Sequence, residues 1–331
     1  MRNHCLKSQI SNLKSHMKIG NRIKVFAPAT VANVACGFDV LGFAIDKPGD
    51  ELIMEITDEK GVVIVDIEGD GGVLPRDAKK NSATVAIQDY LNYINADFGC
   101  KIWLKKMMPS GSGLGSSAAS AVAGVFAINM LCNEQLTKEE MLPFLLNAEK
   151  AACDAAIADN VAASLFGGFI LVRSYEPLDI LQIPVPEDLW CAVINPHVIV
   201  LTKDAREILP KEIPLAHSLR QSANVGGIMV GLLRGDYDLI GRSLVDYIAE
   251  PYRSKLIPGF YEMKQAAKDA GALGGSISGS GPSVFALCHG KENAYKAGDA
   301  MKQVMNSMNI GADVYVSKVN NQGPKVLPFG E

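Results

Sequence analysis

The sequence lacks the features of several protein classes, beginning with an excess of positive charge. Its 331 residues include 32 Lys and Arg against 36 Asp and Glu, and the net charge is −4. No overall positive field therefore favours nucleic acid or an anionic membrane surface as a partner. No apolar run approaches the ~18 residues that a membrane-spanning helix requires, so we expect a protein with neither nucleic-acid nor membrane partners.

Paired cysteines are missing as well. The seven cysteines include no C-x-x-C pair, and their odd number fits reduced, buried thiols better than a zinc site or a disulfide framework. This pattern predicts a cytoplasmic protein. Residues 1–20 lack the apolar core of a secretory signal and are predicted to form a disordered N-terminal extension.

The chain does contain enough apolar material for a full core. Hydrophobic residues make up 48% of the sequence, and the length suits two domains. Three prolines between residues 177 and 188 mark a junction, so we expect one domain over residues 21–180 and a second over residues 181–331. Short strands and helices follow one another without a regular βαβα repeat, which favours an α+β fold over a doubly wound sheet.

The stretch Pro109–Ser120 is the most informative part of the chain. Residues 100–106 read as a strand, Gly111, Gly113 and Gly115 follow, and small residues then predict a helix. Glycines let backbone N–H groups approach an anion closely, and a helix N-terminus attracts negative charge. The layout predicts a phosphate cradle, and a plain glycine-rich turn before a packed helix is the alternative. The spacing G-x-G-x-G, with no lysine after the last glycine, is neither a Walker A loop nor a dinucleotide fingerprint.

Polar residues stand out in otherwise apolar regions. Asn33 and Asp39 lie in a loop of small residues after the first strand, and Asp159 and Asn160 follow an Ala-rich stretch. Buried polar side chains need partners, so these residues either bind a ligand or cap local turns. Glu149 is a further carboxylate, near the end of a predicted helix.

Three further patterns complete the outline. Thr137-x-x-Glu140 has the form of a capping box and predicts a helix to about residue 152. Residues 271–281 form a second glycine-rich stretch, which is predicted to be a loop before a strand. Three lysines are expected on an exposed strand face: Lys101, Lys105 and Lys106.

Together these motifs resemble those of the GHMP small-molecule kinases, a superfamily named for galactokinase, homoserine, mevalonate and phosphomevalonate kinases. Pro109–Ala119, with Gly113-Leu-Gly-Ser-Ser at its centre, is similar to their ATP-binding signature. Ser276–Pro282 resembles their C-terminal motif, and Ala27-Pro28 with Asn33–Gly42 resembles their first. Within the superfamily, the order of the motifs along residues 22–320 resembles the homoserine kinase family. The segments that carry this closer resemblance are Asn33–Gly42, Asp159–Gly168, Thr202–Arg206 and Glu250–Gly259.

The resemblance implies a fold and a reaction. The fold would combine an N-terminal domain like the second domain of ribosomal protein S5 with a ferredoxin-like C-terminal domain, and the active site would lie in the cleft between them. The reaction would use ATP and Mg²⁺ to phosphorylate the side-chain hydroxyl of L-homoserine by direct in-line transfer, giving O-phospho-L-homoserine for threonine biosynthesis. By analogy only, a homodimer is implied.

The resemblance also implies roles for individual residues. It assigns nucleotide binding to Pro109, Ser110, Gly111, Ser112, Gly113, Leu114, Gly115, Ser116, Ser117 and Ala118. It assigns Mg²⁺ to Ser116, Ser117 and Glu149. It assigns L-homoserine to Asn33, Asp39, Asn160, Arg206 and Arg253. It assigns catalysis to Asn160, Thr202 and Arg206.

One position departs from the family pattern. Ile157 stands where homoserine kinases usually carry a histidine, three residues before Asn160. This departure leaves two alternatives open, a kinase for another small hydroxylated acid and an inactive sensor with the same fold. No general base is evident, and Asp159 is expected to support Asn160 and the loop backbone rather than to take a proton.

Overall fold

The computed structural model describes residues 18–133, 136–153 and 157–330, and it combines α-helices with two β-sheets. The predicted α+β class is confirmed. The extension predicted over residues 1–20 lies outside the described residues as far as residue 17. Within the described ranges, no helix is both long enough and apolar enough to cross a membrane.

The first sheet is built from strands at both ends of the described chain. Its strands are β1 Arg22–Ala32, β2 Leu41–Thr57, β3 Gly61–Glu68, β4 Gly99–Lys105, β5 Phe169–Tyr175, β6 Leu178–Ile183 and β11 Lys325–Leu327. They are arranged in the order β11-β1-β2-β4-β3, while β5 pairs with β2 and β6 pairs with β5. The β3–β4 pair is parallel, and the other pairs are antiparallel.

Among the described residues, three helices pack against the first sheet, and the helix Lys138–Cys153 packs on those helices. The four helices are α1 Ser82–Tyr93, α2 Ser116–Leu131, α3 Lys138–Cys153 and α4 Ala158–Phe166. Small residues let α2 lie close to its neighbours, because a Cβ at Gly124 would come within 2.8 Å of the side chain of Ile87. The predicted capping box before α3 is confirmed: the Thr137 N–H donates to Glu140 Oε2 at 2.9 Å, and the Glu140 N–H donates to Thr137 Oγ1 at 3.3 Å.

The second sheet has four antiparallel strands within the described residues. They are β7 Leu189–Pro196, β8 Ala272–Ile277, β9 Val284–His289 and β10 Ala312–Lys318. Their order is β10-β7-β9-β8. The helices of this part of the chain are α5 Thr202–Glu207, α6 Leu215–Arg234, α7 Tyr237–Ser243, α8 Glu250–Arg253, α9 Phe260–Asp269 and α10 Lys291–Ser307. The order of the four strands, with helical connections before β8 and before β10, is that of the expected ferredoxin-like domain.

The prediction of one loop over residues 271–281 is wrong in its first half. Residues Ala272–Ile277 form β8 and pair with β9. The glycines are required there by close packing, since a Cβ at Gly275 would lie 2.0 Å from the backbone oxygen of Phe285. Glycine content therefore marks a tight strand contact in this stretch rather than a flexible loop.

The strand pairing of the first sheet indicates where the boundary between the two domains lies. The expected boundary at residue 180 falls inside β6, which remains paired with β5 as far as Ile183. Near the other end of the chain, β11 returns to pair with β1. We therefore propose that the N-terminal domain comprises residues 21–183 together with the last strand.

Candidate active site

A cleft of roughly 810 Å³ lies where the first glycine loop meets the connections of the second sheet. Most of the predicted site residues line it. Those that do are Asn33, Asp39, Gly111, Ser112, Gly113, Gly115, Ser116, Ser117, Ala118, Glu149, Asn160, Thr202, Arg206 and Arg253. The fold thus brings together residues that are separated by more than two hundred positions in the sequence.

Three predicted nucleotide-binding residues do not line the cleft. Pro109 and Ser110 are exposed where the loop begins. Leu114 is fully buried in the core, and its backbone oxygen accepts a hydrogen bond from the Thr30 N–H at 3.0 Å. Leu114 therefore anchors the loop to β1 while the residues on either side of it face the cleft.

Backbone conformation explains the glycines of this loop. Gly111, Gly113 and Gly115 have φ values of 70°, 77° and 67°, a region that side chains with a Cβ rarely adopt. A Cβ at Gly113 would lie 2.4 Å from the backbone oxygen of Ser278. Helix α2 begins directly after Gly115, so its first N–H groups lie at the cleft. The predicted strand, glycine turn and helix start are all present.

A hydroxyl in the loop indicates what the cradle is suited to hold. Within the described ranges, the Oγ of Ser112 is the one buried side-chain oxygen or nitrogen without a hydrogen-bond partner. A buried hydroxyl without a partner is unfavourable unless a ligand supplies one. Ser112 lines the cleft, so a phosphate oxygen would satisfy it, and a polyphosphate fits the loop.

The second glycine-rich segment forms the facing wall. The Ser278 hydroxyl donates to the backbone oxygen of Gly113 at 2.7 Å, and the Asn33 side-chain amide donates to the backbone oxygen of Gly279 at 2.8 Å. The Ser283 N–H donates to the backbone oxygen of Ser112 at 3.3 Å. These contacts hold the turn between β8 and β9 against the first loop.

An ion pair outside the glycine loop also lines the cleft. The Arg206 Nη1 atom lies 3.3 Å from Asp39 Oδ2, and both side chains are part-exposed. Asp39 itself has a φ of 57°, and its N–H donates to Asn33 Oδ1 at 2.8 Å. The Tyr175 hydroxyl donates to the backbone oxygen of Asp39 at 3.0 Å. Asp39 is therefore held in a strained turn with its carboxylate facing a guanidinium.

Arg253 is built into the wall of the cleft. Its side chain is buried, its Nε donates to the backbone oxygen of Ala205 at 2.7 Å, and its Nη1 donates to that of Gly279 at 3.0 Å. The guanidinium also lies 4.9 Å from the ring centre of Phe38, and burial lowers its pKa to about 10. Arg253 thus fixes helix α5 against the second glycine segment. Its role as a substrate ligand remains a prediction.

Asp159 is a buried carboxyl at the base of the cleft. Its exposed fraction is 1%, and the Asn160 side-chain amide donates to its Oδ1 at 3.2 Å. Burial first, and then the charge of Asp39, raises the pKa of Asp159 to about 7. Asn160 Oδ1 in turn accepts from the Thr30 hydroxyl at 2.7 Å. Asp159 lines the cleft and contacts the neighbouring Asn160, and the supporting role expected for it stays a prediction.

Sequence reasoning placed Lys106 wrongly, on an exposed strand face. Its side chain is buried and contacts Asp50, which the sequence analysis did not single out. The turn from strand to glycine loop at Met107 directs Lys106 inward, and Asp50 on β2 offers the compensating charge. No local pattern marks Asp50, which follows Lys47-Pro-Gly and precedes Glu51 in the sequence.

Comparisons with known proteins agree with this geometry. Two family models match the chain, GHMP kinases N terminal domain over residues 80–168 and GHMP kinases C terminal over residues 228–307. A protein of Chlorobium phaeobacteroides named homoserine kinase is 48% identical, over 92% of this chain and 99% of its own length. The chain belongs to the homoserine kinase family of the GHMP kinases. A homoserine kinase of Pyrococcus abyssi is 39% identical, over 89% of this chain and 96% of its own length.

Solved structures show the same fold. The crystal structure of homoserine kinase from Cytophaga hutchinsonii has 58% sequence identity and a TM-score of 0.91, and the match covers 94% of this chain and 98% of that chain. The crystal structure of L. major mevalonate kinase in complex with R-mevalonate has 18% identity and a TM-score of 0.70, covering 91% of this chain and 98% of that chain. At that identity the second likeness supports the fold alone.

The residues expected to hold Mg²⁺ in a homoserine kinase lie at the glycine-loop end of the cleft. Ser116, Ser117 and Glu149 all line it, and hydroxyl and carboxylate oxygens are ligands that Mg²⁺ accepts. Among the described residues, no group of three or more His, Cys, Asp and Glu side chains could hold a metal alone.

Ile157 lies in the cleft at the position where homoserine kinases usually carry a histidine. It is half-buried and directly precedes α4, with a φ of −100° and a ψ of 124°. Its side chain can neither donate nor accept a hydrogen bond, so this part of the wall is apolar. The polar contacts nearest in the chain come from Asp159 and Asn160.

Proposed function

We propose that this chain transfers the γ-phosphoryl group of ATP to the side-chain hydroxyl of L-homoserine, giving O-phospho-L-homoserine in threonine biosynthesis. The observation that carries the proposal is that a phosphate-binding glycine loop and the Asp39–Arg206 ion pair share one cleft. Relatives named homoserine kinase, which are 48% and 39% identical over most of their own length, support the choice of substrate.

The glycine loop is suited to hold the phosphates. Backbone N–H groups over residues 111–117, the first turn of α2 and the Ser112 hydroxyl would bind the phosphate oxygens. Ser116, Ser117 and Glu149 would hold Mg²⁺, which when bound neutralises part of the charge on the phosphates.

The Asp39–Arg206 pair suits an amino acid. The Asp39 carboxylate would pair with the substrate ammonium, and the Arg206 guanidinium would bind the carboxylate in a fork-shaped contact. The two groups lie 3.3 Å apart, close enough for both to contact the charges of one zwitterion. Asn33 and Arg253 would complete the wall through their contacts with Gly279.

The transfer itself depends on positioning and charge. The homoserine hydroxyl would attack the γ-phosphate in line, because phosphoryl transfer needs alignment more than it needs covalent help from the protein. Asn160 and Thr202 would orient the hydroxyl, and the backbone N–H groups of the glycine loop would stabilise the charge on the phosphoryl group. Asp159 would hold Asn160 through the hydrogen bond between their side chains.

A coupled assay of ADP release tests the proposal. The purified protein is given ATP, Mg²⁺ and, in turn, L-homoserine, L-serine, L-threonine, mevalonate or shikimate. We expect the highest kcat/KM for L-homoserine. Higher turnover of another acid would assign the protein to that substrate, and no turnover despite nucleotide binding would favour an inactive sensor.

A variant of the ion pair tests the amino-acid site directly. Arg206→Met removes the guanidinium and is expected to lower kcat/KM for L-homoserine by about a hundredfold or more. Lys203→Met on the same helix serves as the matched control, since Lys203 is exposed and pairs with the exposed Glu207 at 3.7 Å. Equal losses in the two variants would contradict the role of Arg206.

We also infer a cytoplasmic location and a homodimer. Five cysteines of the described ranges are buried thiols outside any disulfide, as expected of a protein in a reducing compartment: Cys36, Cys100, Cys132, Cys191 and Cys288. The homodimer rests on analogy with relatives alone. Light scattering of the purified protein would measure its mass, and a monomer would refute the dimer.

A further inference from the structure

A buried charged cluster lies beneath the glycine loop. The side chains of Lys106 and Asp50 form an ion pair and are 2% and 0% exposed. Lys106 Nζ also donates to the backbone oxygen of Ser116 at 2.9 Å and to Ser120 Oγ at 2.6 Å. The Ser120 hydroxyl donates to Asp50 Oδ2 at 2.9 Å, and the Met107 N–H donates to Asp50 Oδ1 at 3.1 Å.

The charged groups of the cluster find their hydrogen-bond partners within it. An ammonium has three N–H donors, and those of Lys106 have three acceptors, namely Asp50, Ser116 and Ser120. A buried ion pair is stable only when its remaining hydrogen-bonding groups are satisfied in this way. The charge of Lys106 is therefore committed to Asp50, so Lys106 is not a free cation for the nucleotide phosphates.

The partners of this cluster stand at both ends of the glycine loop. Lys106 and Met107 are the residues at which the chain leaves β4, and Ser116 and Ser120 lie in the first turns of α2. The loop between them contains the glycines with positive φ, which have little conformational preference of their own. The ion pair joins the entry of the loop to its exit.

We propose that Asp50, Lys106 and Ser120 are positioning residues that clamp the two ends of the glycine loop and so fix the geometry of its phosphate-binding N–H groups. The proposal rests on the proposed function in one respect, since it takes the ligand of this loop to be a nucleoside triphosphate. The three side chains act through the loop backbone and do not contact the phosphates.

The clamp predicts a selective loss of nucleotide binding. Asp50→Asn leaves Lys106 buried without its carboxylate, and we expect the KM for MgATP to rise about tenfold while the KM for L-homoserine changes by less than about twofold. The double variant Asp50→Asn/Lys106→Met replaces both charges by neutral groups, which restores electrostatic balance and folding stability. Its KM for MgATP should nevertheless stay raised, because Met cannot donate to the backbone oxygen of Ser116.

Two further variants keep the test decisive. Ser120→Ala removes one hydroxyl from the cluster and is expected to raise the KM for MgATP roughly threefold even if the charge variants fail to fold. The matched control is Lys24→Met with Glu51→Gln, an ion pair at 3.1 Å whose side chains are part-exposed. Because Glu51 is the neighbour of Asp50 on β2 and faces away from the cluster, this control should retain both KM values.

Affinity for ADP, measured by calorimetry on the same proteins, separates this proposal from the proposed function. A double variant with parental thermal unfolding and parental affinity for ADP would overturn the clamp, and so would an unchanged KM for MgATP in Ser120→Ala. A parent that binds ADP but phosphorylates no amino acid would refute the proposed reaction and leave the ADP comparison valid. A parent that does not bind ADP would overturn both.

Discussion

Replacing Asp159 by Asn removes a buried carboxyl whose ionised form the fold disfavours. The pKa of Asp159 is raised from 3.8 to about 7, mainly by burial and then by the negative charge of Asp39. Between these two pH values the folded protein binds a proton that the unfolded chain has released. The free energy of unfolding must therefore fall as the pH rises through this range, and it should level off above pH 7.

The size of the effect follows from the pKa difference. Each pH unit in this window changes the free energy of unfolding by about 1.4 kcal/mol, so the parent should lose about 3 kcal/mol between pH 5 and pH 8 through this one carboxyl. The side-chain amide of the Asp159→Asn variant is uncharged at every pH, so this variant should not show the loss. The amide also replaces one acceptor oxygen by a donor, which shifts its whole curve by a constant amount and leaves the difference in slope intact.

Urea unfolding at several pH values measures this difference. The free energies of the parent and Asp159→Asn are compared at pH 5, 6, 7 and 8, and the exposed Asp299→Asn on α10 serves as the control. Asp299→Asn should follow the parent. Parallel curves for the parent and Asp159→Asn would refute the raised pKa of Asp159 and the burial argument behind it.

The Asp159→Asn variant also shows whether Asp159 positions Asn160 or acts as a general base. If Asp159 only holds Asn160, then Asp159→Asn keeps an oxygen near that amide and should slow the chemical step a few-fold, roughly two- to tenfold. General bases typically contribute about a hundredfold or more. Single-turnover kinetics with saturating ATP and L-homoserine isolate this step, and a loss above a hundredfold would assign the proton to Asp159.

Three other substitutions test the glycine loop, the expected Mg²⁺ site and the expected amino-acid site. Gly113→Ala should lower kcat/KM for ATP by about tenfold or more, because its Cβ would lie 2.4 Å from the backbone oxygen of Ser278 and its φ is 77°. The control is Gly226→Ala, which should keep its activity because no atom lies within 4 Å of the added Cβ. Glu149→Gln should raise the Mg²⁺ concentration for half-maximal activity several-fold, about three- to tenfold, in a titration of Mg²⁺, and an unchanged requirement would remove Glu149 from the metal site. Tyr175→Phe loses the hydroxyl that donates to the Asp39 backbone at 3.0 Å, so the KM for L-homoserine should rise about threefold with little change in kcat, and the reverse pattern would contradict a positioning role.

Local patterns in the sequence were sufficient to predict the glycine loop and the helix starts. Three glycines with positive φ before a run of small residues have a local physical cause, because only glycine adopts these angles without strain. The capping box at Thr137 is equally local, since its two hydrogen bonds join residues three apart. Such features can be predicted from a few neighbouring residues, without knowledge of the rest of the chain.

Features that depend on a distant partner were not predictable in the same way. Lys106 was expected in solvent, but Asp50 on the neighbouring strand holds it in the interior, 56 residues away in the chain. The strand at Ala272–Ile277 depends on the backbone of β9, and the three residues of β11 depend on β1. In each case the deciding contact is between segments whose pairing the sequence pattern does not specify.

Exposure and hydrogen-bond partners separate the charged side chains that can bind a ligand from those that hold the cleft together. Arg206 and Arg253 look alike in the sequence, since each lies in a family motif with a guanidinium suited to a carboxylate. In the structure, the Arg206 side chain is 43% exposed; its guanidinium pairs with the carboxylate of Asp39 and lies 6.0 Å from the ring centre of Phe38, so a ligand carboxylate can still reach it. Arg253 is 3% exposed and donates to two backbone oxygens, so its removal would first separate α5 from the second glycine segment. A charged group that is already satisfied by the backbone stabilises the geometry on which the exposed group acts.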